Sequence, residues 1–77
     1  MKIVKVKWMD STSQSGGWTD EDPKDMEPMK LMTVGFLLFE DEQRIVISHS
    51  IADNTDMRYA MFTIPKGMIY EYSEVEL

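Results

Sequence analysis

The sequence predicts a mainly β domain: five short antiparallel strands in a single unit spanning residues 1–77. Three observations carry that expectation. Residues 2–9 alternate, with Val4, Val6 and Trp8 on one side and Ile3, Lys5 and Lys7 on the other, the period of two of a half-buried strand. Residues 32–65 hold three β-rich runs, at 34–39, 44–51 and 59–64, separated by the polar breaks Glu-Asp-Glu-Gln at 40–43 and Asp-Asn-Thr-Asp at 53–56. Connections this short return each strand beside its neighbour, which makes an antiparallel meander. Finally, Pro65-Lys66-Gly67 stops the fourth strand, and residues 68–77 resume as a turn and a last strand.

Seventy-seven residues lie near the lower limit at which a chain buries enough apolar surface to fold unaided. With no cysteine there is no disulfide framework, thiolate zinc site or cysteine nucleophile to compensate, so stability has to come from packing, including packing across subunits. No apolar run approaches the roughly 20 residues of a membrane span. The alternating N-terminus is unlike a signal-peptide core, and a cytoplasmic location is the expectation. The net charge of −6 is concentrated: Asp20, Glu21, Asp22, Asp25 and Glu27, five acids against the single Lys24, leave −4 within residues 20–27. Duplex-binding proteins neutralise phosphates with clustered Lys and Arg, and no such cluster occurs in this sequence, so a DNA or RNA duplex is not an expected partner. Neither is a membrane. A small anionic ligand remains open, because two or three well-placed donors suffice for one or two phosphates.

Taken in order, the first strand places Trp8 at its inner end, as a core residue. Residues 10–17, Asp-Ser-Thr-Ser-Gln-Ser-Gly-Gly, are dense in side chains that bond their own backbone or tolerate positive φ, and read as a loop. Trp18 follows directly, either as a lid over one end of the domain or as a stacking platform. Thr19 is suited to cap a helix whose first turn carries Asp20, Glu21 and Asp22, and Pro28 limits that helix to one or two turns. Its carboxylates lack the spacing of a calcium loop. The second strand opens at Val34 with Gly35, the mark of a bulge, a bend or a close backbone approach. The charged tip at 40–43 protects against edge pairing. His49, between two serines near the end of the third strand, has no second histidine or cysteine with which to bind a metal, and spacing reveals no nucleophile for it to serve. In the last strand Ile69, Tyr70 or Tyr72, and Val75 are expected to face inward.

Five such strands, one short helix in the loop after strand 1 and a tight turn before strand 5 describe a small SH3-like or Sm-like barrel. An open α+β sheet is the alternative.

The ordered set Val-Lys-Trp-Met-Asp-Ser at 6–11, Gly-Trp at 17–18, Val-Gly-Phe-Leu at 34–37, Ile-Val-Ile-Ser at 45–48 and Ile-Pro-Lys-Gly at 64–67 resembles a widespread family of small bacteriophage proteins. Among phage proteins of this size the chain is similar to the anti-CBASS type, sponges that sequester cyclic nucleotide signals of bacterial immunity. The resemblance implies a non-enzymatic, homo-oligomeric binding protein in the host cytoplasm, with a cyclic di- or trinucleotide as ligand and no cofactor. No ligand residue comes from the resemblance. The residue chemistry itself offers Trp18 and Tyr59 for base stacking and Arg58 and Lys66 for phosphate. Ser11, Thr12 and Ser13, with Gly16 and Gly17, supply hydroxyl and amide donors, and Ser48 and Ser50 are placed to read base edges. Two other classes stand beside the sponge: a protein-interaction module acting through a strand edge or the Trp18 loop, and a hydrolase built on His49.

Overall fold

The computed structural model describes residues 1–13, 16–53 and 57–76. Part of the first loop, most of the polar break at 53–56 and Leu77 therefore lie outside the described residues. The element order is β1 (Ile3–Asp10), a single 3₁₀ turn (Pro23–Asp25), β2 (Met29–Glu40), β3 (Arg44–Ile51), β4 (Arg58–Pro65), a second 3₁₀ turn (Lys66–Met68) and β5 (Ile69–Val75). All pairings are antiparallel within one sheet, in the order β4-β3-β2-β1-β5.

The period of two in β1 is the period of the core. Val4 and Val6 are fully buried together with Ile45, Ile47 and Ile64, and Trp8, Leu37, Phe62 and Ile69 pack against them. Trp8 also satisfies its one polar atom, donating from Nε1 to Thr33 Oγ1 at 3.0 Å, which lets an indole lie against an apolar core without an orphaned donor. Two irregularities bend the sheet. Leu38 is the extra residue between the pairs Leu37–Ile47 and Phe39–Val46, and Tyr70 the extra residue between Lys7–Glu71 and Trp8–Ile69. A bulge bends its strand and increases the local right-handed twist.

The bulge at Tyr70 also settles which β5 residues face the core. Ile69 packs on it and Tyr72 stands opposite Val6, whereas Val75 pairs with Ile3 on the outer face, so the inward reading of Val75 is corrected. Residues 72 and 75 are separated by an odd number, and a strand cannot put both on one side. β2 is likewise longer than its sequence shows: it starts at Met29 and not Val34, because residues 29–36 pair with β1 before residues 36–40 pair with β3.

That change of partner divides the molecule. Past the pair Phe36–Ser48, β2 runs on with β1 alone and β3 with β4 alone. Two ribbons thus leave the sheet on the same side, one ending in the 11–28 loop and the other in the β3–β4 connection. The chain extends over 54 × 24 × 24 Å with a radius of gyration of 16.0 Å. A compact chain of this length would have roughly 11–12 Å.

In the first loop, Pro23 opens a turn capped by Asp22, whose Oδ1 accepts from the Lys24 amide at 3.1 Å. Thr19 is not the cap; its Oγ1 accepts from the Glu21 amide at 3.1 Å in a local turn of its own. Proline is favoured at the first helical position, and here it fixes the start three residues later than a Thr19 cap would.

Candidate functional site

Of the residues singled out above, the structure brings three into one place. Ser50 pairs with Tyr59 and Ile51 with Arg58 across β3 and β4, and these four, with Ala52 and Met57, line a groove of about 330 Å³ at the tip of the second ribbon. Tyr59 keeps 74% of its surface exposed, so a ring face is open to a flat partner. Next to it Ala60 adopts φ 57°, a left-handed conformation that costs a non-glycine residue energy and persists only where the surroundings enforce it.

Ser48 is part of what enforces it. Its hydroxyl lies 2.7 Å from the Ser50 carbonyl oxygen and 2.8 Å from that of Tyr59, donates between them, and accepts from the Ser50 amide at 3.3 Å. Ser48 is completely buried. The expectation that it reads a base edge is therefore corrected: a hydroxyl with no exposed surface and three backbone partners holds the chain at the fork and has nothing to offer a ligand.

Lys66 does not join this groove. It lies eight residues beyond Arg58, roughly 26 Å along a strand at about 3.3 Å per residue, so the two cations cannot grip one phosphate within a single chain. Lys66 Nζ is 2.7 Å from Glu40 Oε2, and the Tyr72 hydroxyl donates to Glu40 Oε1 at 3.3 Å. Together with Ile45 and Ile69 these three line a second, smaller cleft of about 190 Å³. The Lys66 amide donates to the Gln43 carbonyl at 2.8 Å, so this cluster ties the start of β5 to the β2–β3 turn.

The electrostatics of the cluster follow from these contacts. The Lys66 hydrogen bond holds the Glu40 carboxyl below its ordinary 4.5. In the adjacent turn, the Gln43 and Arg44 amides at 2.8 and 2.9 Å hold Asp41 below its ordinary 3.8. Burial first, and the Glu40 charge second, push the Tyr72 phenol above 10.0. A carboxylate with a lowered folded pKa contributes stability above its unfolded value, and that contribution is lost as pH falls through the folded one. A phenol with a raised pKa contributes below its unfolded value and loses that contribution as pH rises. Thermal melts are accordingly expected to be flat between about pH 5 and 9, falling below the carboxylate range and again above pH 10. Glu40→Gln should weaken both limbs; a melting temperature equally pH-dependent in that variant would contradict the assignment.

Apart from His49, the remaining sequence candidates lie on the other ribbon. Trp18 is fully exposed, which rules out its reading as a lid. The Ser11 amide donates to Asp10 Oδ1 at 2.8 Å, and Thr12 Oγ1 donates to the Glu27 carbonyl at 2.9 Å, closing the loop at its base. Ser13 is exposed, and Gly16 and Gly17 take φ 78° and 65°. His49 is exposed with its ring centroid 5.6 Å from that of Phe62, and among the described residues no group of three or more His, Cys, Asp or Glu is placed to hold a metal ion. Sequence reasoning missed Met57, Ile51 and Ala52 as the apolar walls of the groove, for nothing in their spacing marks them.

Comparison with known proteins returns no significant match to any family model, curated protein or solved structure. No helix in the described residues is long and apolar enough to cross a membrane.

Proposed function

We propose that the chain is a phage-encoded, non-enzymatic binding protein that sequesters a cyclic oligonucleotide signal, seating one nucleotide unit in the Ser50–Arg58–Tyr59 groove. The observation that carries this is the joining of an exposed aromatic ring, a guanidinium and a hydroxyl around an apolar floor. Those are the parts a base and its phosphate require, and no catalytic group is needed to hold them. The groove's volume is at the small end for ligand pockets, so a homo-oligomer would supply the second half of a cyclic ligand. For the architecture we propose an SH3-like arrangement, supported by the meander of β2–β4, the 3₁₀ turn after β4 and the return of β5 beside β1; the pairings themselves make one open sheet with β4 and β5 at its edges.

The test is native mass spectrometry of the protein with a panel of cyclic di- and trinucleotides, followed by heat release. Intact cyclic nucleotide recovered at a fixed ratio to protein is the expected result. Tyr59→Ala should then weaken binding by about 5- to 150-fold, the equivalent of roughly 1–3 kcal/mol for one stacked base. A protein that ignores the whole panel would sink the reading. A protein-interaction module is the second reading, favoured by one observation: Trp18, wholly exposed in a loop, is an anchor of the kind found at the centre of protein interfaces.

A further inference from the structure

We propose that the outer face of β1 and β2 receives the acidic loop of a second copy of this chain, and that the reciprocal contact makes a two-fold dimer. The register puts Lys5 opposite Val34, Lys7 opposite Met32 and Met9 opposite Lys30, all on the side away from Val4 and Val6. Three of the chain's eight cations thus stand on one surface among apolar side chains that stay open, Met32 at 64% and Val34 at 46% exposure. The only carboxylate the neighbouring strand sets against them, among the described residues, is Glu71, 3.4 Å from Lys7.

The complementary surface lies on the same chain. Residues 20–27 carry a net −4 and are flanked by Trp18, fully exposed, with Met26 open among them. The hydrogen bonds and ion pairs of residues 18–26, as described, all stay within the loop: Glu21 to Thr19, Lys24 to Asp22, Asp25 to Asp22 and Met26 to Pro23. Nothing of that kind fastens it to its own sheet. An acidic, Trp-tipped loop matches in charge and in apolar content a lysine-rich face with methionine and valine between the cations, and long lysine stems cover apolar surface while their heads pair. A single two-fold axis generates both contacts at once, because each copy offers a loop and a face. This contact stands whether or not the Tyr59 groove holds a nucleotide.

Sedimentation equilibrium of the full chain tests it, with a charge swap as the control against misfolding. The wild type is expected to dimerise, with a dissociation constant that rises about tenfold or more between roughly 50 and 500 mM salt, since exposed ion pairs are screened over that range. Lys5→Glu, Lys7→Glu and Lys30→Glu together should give a monomer, as should Asp20→Lys, Glu21→Lys and Glu27→Lys together. Combining the two sets restores complementary charge and should restore the dimer. A monomeric wild type, a dimer indifferent to both sets, or a combined variant that stays monomeric would each overturn the proposal. So would a Trp18 emission that is shielded from quenchers to the same degree at every protein concentration, since that is the mark of the loop folding back on its own face.

Discussion

Ile47→Ala is expected to leave most of the chain unfolded at 25 °C. Ile47 has no exposed surface and stands between Leu37 and Phe62 in the register, against Ile45, Ile64, Val4 and Val6. Removing three carbons from such a position costs about 2–5 kcal/mol, from lost transfer energy and from the cavity left behind. The stability available to a single core of this size is about 3–5 kcal/mol. The two figures are comparable, so the population shifts from folded to largely unfolded. Among the described residues five apolar side chains are fully buried, and no helix layer covers the sheet behind which a cavity can collapse. Circular dichroism with a urea titration reads the outcome. Ile47→Val, expected to cost about 0.5–1.5 kcal/mol, should keep a cooperative transition at lower urea. If Ile47→Ala melted within a few degrees of wild type, the core would have to lie elsewhere, and the outer face would be the place to look.

The strands and the core were legible because they rest on period and on loop length, both local properties of the sequence. Val4 and Val6 are buried and Trp8 packs beside them, as the alternation of residues 2–9 implies. What was not legible depends on where strands part. Ser48 reads as an exposed strand-end hydroxyl in Ile-Val-Ile-Ser-His-Ser, yet it sits where β2 leaves β3 and donates to the carbonyls of Ser50 and Tyr59. The sequence does not mark that point, because the divergence is a long-range event between residues 36 and 48. Lys66 misleads for a similar reason: the same short turn that makes it look available brings it against Glu40 from another hairpin. Arg58, Tyr59 and Ser50, by contrast, converge because two-residue steps on paired strands bring them together once the β3–β4 hairpin is recognised. The outer face of β1 and β2 was readable only in part; Lys5 and Lys7 announce a solvent side, but Lys30 joins them only through the early start of β2 at Met29.

Gly35→Ala should destabilise the protein by about 1–3 kcal/mol and also weaken whatever the Tyr59 groove binds. A Cβ at position 35 would lie 2.8 Å from the Ser48 carbonyl oxygen, closer than real Cβ contacts come, and the obstacle is backbone that has no rotamer to escape into. The requirement at Gly35 is therefore for space and not for conformational freedom. Gly67, where an added Cβ meets nothing within 4 Å, is the control, and Gly67→Ala should be close to neutral. Two consequences separate this account from a general dislike of substitution. The cost should grow from Ala to Val, because each added methyl pushes further on the same carbonyl. And the damage should reach Ser50 and Tyr59, because Ser48 is one residue with two duties: its carbonyl faces Gly35 while its hydroxyl ties Ser50 to Tyr59 across the neck of the second ribbon. Displacing β3 at that point loosens the strand pair that holds the left-handed Ala60 and the aromatic ring beside it. Urea denaturation reads the first consequence, and ligand affinity of the still-folded Gly35→Ala protein reads the second. Equal stability for Gly35→Ala and Gly67→Ala would show that β3 gives way freely at the fork, and that the groove is not held rigid from Ser48.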